Sequence, residues 1–223
     1  MIYVFDEDAG DESLILKGEL FKYLIKVRRH TLDDELFFRN KEDMKILYKY
    51  KIVELEPKKA TLELLNSELS EVKAKRDLHI GWCKIDIKSI EKILPSLSEI
   101  GVKKITFIDC ERSQRNIKLD FKRFDRILET SMQQCGSTQK IELDRSKSLK
   151  EFIKLNPDAK VFDFAEKILD NADEIKTVII GCEGGFSSKE KEFFSSLEVF
   201  RLDTQMVLRS ESAVMAVASK VIL

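Results

Sequence analysis

A period of two runs through Met1-Ile2-Tyr3-Val4-Phe5, through Ile46, Tyr48, Tyr50 and Ile52, and through Ala60, Leu62 and Leu64. That is the spacing of half-buried strands, whose side chains point to opposite faces in turn. Between these runs Leu20, Leu24 and Val27 fall at i, i+4 and i+7, which predicts one amphipathic helix. Residues 1–70 therefore read as a small antiparallel barrel. After Ser70 the rhythm changes to strand-helix alternation, the mark of a mostly parallel α/β sheet. A strand over Leu78 to Cys83 leads to a helix with Ile90, Ile93, Leu94, Leu97 and Ile100 on one face. Gly101 stops that helix and Pro95 is expected to kink it. A strand from Val102 to Ile108 follows, then a helix carrying Phe121, Phe124, Ile127 and Leu128 that ends at Gly136. The runs Lys160 to Phe164 and Thr177 to Ile180 predict further strands, the second buried on both faces. A boundary is expected between residues 68 and 76, separating a first domain over 1–70 from a second over 75–223.

Length and composition fit this division. The chain has 223 residues, of which 43% are hydrophobic and 35% charged, enough apolar surface for a core in one small and one medium domain. The formal net charge of −1 announces no nucleic-acid partner, so any RNA contact must rest on local basic patches. Cys83, Cys110, Cys135 and Cys182 lack the paired spacing of a zinc site, and only two histidines could assist. No metal is expected, and the thiols are read as reduced and structural. No run approaches the roughly 18 apolar residues that span a bilayer, and no N-terminal apolar run follows a basic segment. The expectation is a soluble, cytoplasmic protein with no membrane partner.

The candidate chemistry lies late in the chain. Of eight glycines, Gly181, Gly184 and Gly185 fall within five residues, directly after the strand Thr177-Val178-Ile179-Ile180. Ser187-Ser188-Lys189-Glu190 then fits a capping box, giving the order strand, glycine loop, helix. The loop lacks the GxGxxG spacing and the Gly-Lys-Ser/Thr ending of phosphate-binding loops, and Glu183 would repel a phosphate. A cationic or neutral ligand suits it better. Taken alone, the cluster fits a tight structural turn equally well. A second loop, Val207-Leu208-Arg209-Ser210-Glu211-Ser212, precedes a terminal helix of small apolar residues, Ala213 to Ala218, which is expected to be buried. The apolar end Val221-Ile222-Leu223 is expected to dock.

Together, Ile180-Gly181-Cys182-Glu183-Gly184-Gly185-Phe186-Ser187 and Leu208-Arg209-Ser210-Glu211-Ser212-Ala213 resemble the signature loops IGPEGGFS and LRxETA of the ribosomal RNA small subunit methyltransferase E family. Shorter segments agree. Glu99-Ile100-Gly101-Val102 is similar to that family's ELGV, Glu111-Arg112-Ser113 to its ERS, Gln134-Cys135-Gly136 to its QCG, and Val27-Arg28-Arg29 to its VLR. The chain departs from the pattern at Cys182, where the family has proline, and at Tyr23, Arg28, Ser96 and Ser137. The glycine usual near Asp203 and Thr204 is also missing.

The resemblance implies a SPOUT α/β knot, a deep trefoil knot on a mostly parallel sheet, preceded by a small PUA-like β-barrel domain that contacts RNA. It implies a homodimer that methylates N3 of uridine 1498 in 16S rRNA of the small ribosomal subunit. The cofactor would be S-adenosyl-L-methionine. Its binding loops would comprise Val161, Phe162 and Phe164, then Ile180, Gly181, Glu183, Gly184 and Gly185, then Val207, Leu208, Ser210, Ser212 and Ala213. Arg209 is the candidate to stabilise charge on the uracil oxygens. Glu211 or Glu183 could accept the N3 proton and ranks below it, because a carboxylate is a weak base for so reluctant an acid. RNA contact would rest on Lys22, Lys26, Arg28, Arg29 and Arg112, extended by Lys84, Arg115, Lys122 and Arg123. Two other readings stay open, a SPOUT methyltransferase acting on a different RNA position and a non-catalytic RNA-binding relative.

Overall fold

The computed structural model describes residues 2–114, 117–170 and 174–223 and divides into two compact units, Met1–Val72 with Gln133–Thr138, and Lys73–Met132 with Gln139–Leu223. In the first unit five strands, β1 (Val4–Phe5), β2 (Ser13–Leu16), β3 (Glu35–Arg39), β4 (Ile46–Leu55) and β5 (Ala60–Leu69), form one sheet in the order β1-β3-β4-β5-β2. All neighbours are antiparallel except β1 and β3. Phe38, Tyr50, Ile52, Ala60 and Leu62, all virtually inaccessible, fill the inner face. Gln133 joins this unit because its carbonyl accepts the amides of Ile2 and Tyr3 at 2.8 and 3.3 Å.

The helix anticipated from Leu20, Leu24 and Val27 takes a different form. One α-turn, α1 (Gly18–Phe21), runs into a π-helix over Lys22–Val27, in which the Arg28 amide donates to the Tyr23 carbonyl at 2.9 Å. The wider turn brings Phe21, Leu24 and Ile25 inward and rotates Val27 out to 66% exposure, so the i+7 spacing fails.

The second unit holds a parallel sheet of six strands in the order β11-β9-β10-β6-β7-β8: β6 (His79–Cys83), β7 (Lys104–Ile108), β8 (Glu142–Ser146), β9 (Lys160–Phe162), β10 (Thr177–Ile180) and β11 (Val199–Phe200). Its helices are α2 (Ile87–Ile100), α3 (Phe121–Cys135), α4 (Leu149–Leu155), α5 (Ser188–Glu192) and α6 (Ser210–Ile222). Asp86 caps α2 by accepting the Ser89 amide, and Gly101, at φ +96°, ends it in a left-handed conformation that β-carbons disfavour. Pro95 lies inside α2, where its carbonyl accepts the Ser131 hydroxyl at 3.0 Å. The chain leaves β11 at one edge of the sheet, yet α6 returns to pack on α2 and to touch β10. Ala213, Val214, Val217, Ala218, Val221 and Ile222 are buried there, while Leu223 stays exposed. The mixed α/β layout implied by the resemblance is present, a curled, PUA-like and largely antiparallel sheet in the first unit and a parallel sheet in the second.

The reading of all four cysteines as reduced needs correction. Cys83 ends β6, Cys110 follows β7, the register sets Cys83 beside Ile108, and the sulfurs of Cys83 and Cys110 are bonded with Cα atoms 5.7 Å apart. Adjacent parallel strands carry the two side chains to one place, which spacing alone does not reveal. Cys135 and Cys182 are free. Among the described residues no helix is long and apolar enough to cross a membrane, and no group of three or more His, Cys, Asp and Glu is placed to hold a metal ion.

Candidate functional site

Parallel strands end together, so the loops that follow β9, β10 and β11 meet at one edge of the sheet, where an α/β protein usually binds ligands. They enclose a cavity of about 280 Å³. From the loop after β9 come Phe162, Asp163 and Phe164, and from the loop after β10 the run Ile180 to Phe186. The third wall is Arg201, Leu202, Thr204, Gln205, Met206, Val207 and Leu208, closed by Ser210 and Ala213 at the start of α6. Phe164, Met206 and Val207 stand at the mouth with 75 to 77% of their surface exposed.

The glycine loop is held by side chains from three directions. The buried Trp82 indole on β6 donates to the Ser210 hydroxyl at 2.9 Å, and that hydroxyl donates to the Gly181 carbonyl at 2.6 Å. Arg112 donates to the Gly184 carbonyl at 2.8 Å. The Cys182 thiol donates to the Gly185 carbonyl at 3.6 Å, and the Gly185 amide returns to the Cys182 carbonyl at 2.9 Å. Burial raises the Cys182 thiol above its ordinary pKa, so it stays a neutral donor. Gly185 sits at φ +64°, where a side chain would be strained. A β-carbon on Gly181 would come within 3.2 Å of the Phe186 ring.

The capping box read from Ser187 to Glu190 is present. Glu190 N–H donates to Ser187 Oγ at 3.1 Å and Ser187 N–H to Glu190 Oε2 at 2.9 Å. The other oxygen of Glu190 accepts the Glu111 amide at 2.9 Å, so this buried carboxylate ties the loop after β7 to α5. Beyond it, Lys84 is buried and ion-paired with Asp109, which also binds Arg145 at 2.6 Å. Partial burial alone would raise the Asp109 pKa, but the bonds from Lys84 and Arg145 outweigh it and hold the carboxyl below its ordinary range.

Eleven of the thirteen residues expected to touch the cofactor line the cavity: Phe162, Phe164, Ile180, Gly181, Glu183, Gly184, Gly185, Val207, Leu208, Ser210 and Ala213. Val161 is instead wholly buried in β9, and Ser212 is exposed on α6 away from the lining. Arg209 is exposed next to the cavity rather than in its wall. Glu211 lies in the first turn of α6 with Oε2 buried and without a hydrogen-bond partner. Sequence reasoning missed Arg201, Leu202, Thr204, Gln205 and Met206 in the walls and Trp82 behind them, and it placed Asp163 only within the expected loop from Val161 to Phe164. Asp163 lay between two expected residues, which was a usable signal; it is nearly buried and ion-paired with Lys191 at 2.7 Å.

The basic cluster of the first unit follows the π-helix. Lys22 pairs with Glu19 at 2.7 Å, Lys26 lies 5.6 Å from the Phe21 ring centre, and the Arg28 guanidinium stacks 5.3 Å from that of Tyr23. Arg29 is exposed at φ +64°. Of the residues expected to extend the RNA surface, Lys84 is buried by its ion pair, Arg123 is paired with Glu91, and Lys122 is exposed. Arg115 lies outside the described residues.

Comparison with known proteins agrees with this layout. A family model described as an RNA methyltransferase domain matches residues 72–222. Two curated Helicobacter pylori proteins, both named ribosomal RNA small subunit methyltransferase E, are 40% identical to the chain, covering 98% of each partner. Among solved structures, a ribosomal RNA small subunit methyltransferase E of Neisseria gonorrhoeae bound to S-adenosyl methionine superposes with a TM-score of 0.78. It is 16% identical, covering 98% of this chain and 95% of that one. A Legionella pneumophila protein in complex with the cofactor SAM gives a TM-score of 0.76 at 22% identity, covering 97% and 94%.

Proposed function

Because the chain belongs to the ribosomal RNA small subunit methyltransferase E family, we propose that it methylates N3 of uridine 1498 in 16S rRNA of the small ribosomal subunit. The observation that carries this reading is the convergence of the loops after β9, β10 and β11 on one cavity at the carboxyl edge of the sheet. The cofactor is S-adenosyl-L-methionine, and the residues present suit it. The walls are apolar at Phe162, Ile180 and Leu208. Asp163 in the lining offers a carboxylate acceptor for a ligand that carries ammonium and hydroxyl groups.

Bound there, S-adenosyl-L-methionine supplies a methyl group already activated on a sulfonium sulfur. The glycine loop and the start of α6 hold one side of the reaction still, since Ser210, Arg112 and Cys182 fix the carbonyls of Gly181, Gly184 and Gly185. Uridine N3 becomes nucleophilic as its proton leaves, and negative charge then spreads to the two carbonyl oxygens. Arg209 stabilises that charge, and its exposed position suits a group that meets RNA rather than cofactor. Glu211 or Glu183 takes up the proton, a contribution ranked below that of Arg209 because a carboxylate is a weak base for so reluctant an acid.

Phosphate neutralisation by Lys22, Lys26, Arg28, Arg29 and Arg112 supplies affinity without reading sequence. The chain works in the cytoplasm as a homodimer, in which a second copy covers the exposed Phe164, Met206 and Val207. Mass spectrometry of nucleosides from small-subunit rRNA, with and without this gene, tests the reading. Loss of 3-methyluridine at that position is expected, and an unchanged 3-methyluridine level refutes it.

A further inference from the structure

A second cavity, of about 420 Å³, lies wholly within the first unit. Its floor is apolar, formed by Leu24 of the π-helix and Leu36 of β3, both buried, and its rim carries Ile2 and Phe37, exposed by 53% and 38%. Two polar side chains, Arg28 and His30, enter from the turn that ends the helix. That turn is fixed. Arg29 reverses the chain at φ +64°, and the His30 amide donates back to the Leu24 carbonyl at 3.2 Å. Arg28 donates through Nε to the Tyr23 hydroxyl at 2.9 Å, leaving its Nη groups as the remaining donors. His30 Nδ1 lies 3.2 Å from Asp34 Oδ2, which leaves Nε2 to bond a ligand.

We propose that this cavity receives one unstacked RNA base, an inference that rests on RNA being the substrate. A base has two apolar faces and a rim of donors and acceptors. The cavity offers the complement: an accessible phenyl ring at Phe37 for stacking, an apolar floor, and a guanidinium and an imidazole for the edge. Single exposed phenylalanines are ordinary on proteins. Phe37 differs in lining the same cavity as both polar groups, with the Lys49 Nζ 5.9 Å from its ring centre. The acidic groups nearby are engaged, Glu35 with Lys49 at 2.5 Å and Asp34 with His30 and the Thr31 amide at 2.9 Å. The Nη donors of Arg28 in the wall, with the neighbouring acids already engaged, favour the hydrogen-bonding edge of an RNA base over an apolar side chain of a protein partner.

Binding of labelled single-stranded oligoribonucleotides to the full-length protein, followed by fluorescence anisotropy from 50 to roughly 200 mM salt, tests this. Phe37→Ala should weaken binding by about 5- to 150-fold, the range for losing one stacked base, with the salt dependence unchanged. Lys26→Ala with Arg29→Ala should instead flatten the salt dependence by about one unit of slope for each phosphate that is no longer neutralised. Phe37→Trp should keep the affinity, and an oligonucleotide with abasic sites should bind wild type no better than it binds Phe37→Ala. Wild-type affinity in Phe37→Ala overturns the proposal, as does a Phe37→Ala defect that persists unchanged with the abasic strand. Methylation of small subunits by the wild-type protein, measured alongside, separates these failures from failure of the functional reading itself.

Discussion

Removing the Ser210 hydroxyl should loosen the cofactor loop and can be followed at a single chromophore. Ser210→Ala takes the acceptor from the Trp82 indole and the side-chain donor from the Gly181 carbonyl. Trp82 is fully buried, so its orphaned N–H bears a desolvation cost of about 1–3 kcal/mol, and the second broken bond adds about 1 kcal/mol. The expected destabilisation is therefore about 2–4 kcal/mol. Trp82→Phe removes the donor and keeps an aromatic ring against Phe107, whose centroid lies 6.1 Å from that of Trp82. In that background no indole N–H is left unpaired, and Ser210→Ala should cost only about 1 kcal/mol, a coupling of about 1–3 kcal/mol. Trp82 is the chain's only tryptophan. Its fluorescence follows urea unfolding of the wild-type and Ser210→Ala proteins, far-ultraviolet circular dichroism in the same titrations covers the two Trp82→Phe proteins as well, and isothermal titration with S-adenosyl-L-methionine reports the loop. Equal costs of Ser210→Ala in the two backgrounds would refute the argument, as would a cost below about 0.5 kcal/mol in wild type.

Other consequences are open to measurement. Arg209→Ala should lower kcat about 100- to 1000-fold while cofactor affinity holds, because the side chain stands outside the cavity wall; single-turnover methylation and cofactor titration separate the two. Gly185→Ala places a β-carbon at φ +64° and should cost about 1–2 kcal/mol in urea unfolding, with weaker cofactor binding. Burial, reinforced by the Lys104 charge, lowers the His79 imidazole from its ordinary 6.5 to about 4. The unfolded ring then takes up a proton between those pH values that the folded ring refuses, so stability is full above pH 6.5 and falls as pH drops towards 4. The shift corresponds to at most about 3 kcal/mol, roughly halved by the ring's partial exposure. His79→Gln should remove that share of the acid dependence, as read by urea unfolding near neutral pH and again at about pH 4.5.

What the chain revealed in advance depended on how local the cause was. Thr177 to Ile180 showed as a continuous apolar run because a central parallel strand is covered on both faces. The Ser187–Glu190 box showed because its two bonds span three residues. The π-helix did not show, since Leu20, Leu24 and Val27 fit an ordinary helical period until the wider turn is seen. Trp82 and Ser210 are 128 positions apart, and the strand order β10-β6 that brings them together has no local signature. The same holds for Lys84, whose charge suggested RNA until Asp109 on the neighbouring strand end claimed it. The walls over Thr204 to Met206 were hidden for another reason: a short polar stretch after a two-residue strand carries no periodicity at all.

The substitution at Cys182 illustrates how a loop can keep its shape after its most rigid residue changes. Proline would fix one backbone angle of the turn from within. In its place the turn is fixed from outside, by Ser210 on the Gly181 carbonyl and Arg112 on that of Gly184, and within itself by the Cys182–Gly185 pair of bonds. The anchors sit on different elements: Ser210 opens α6, and Arg112 follows β7. The geometry of the glycine loop therefore depends on how α6 and the loop after β7 are packed. Restoring proline at Cys182 would leave both outside anchors untouched, so it should change cofactor affinity less than Ser210→Ala does. A larger effect from Cys182→Pro, in the same titration, would show that the loop's own backbone, and not its anchors, holds it in place.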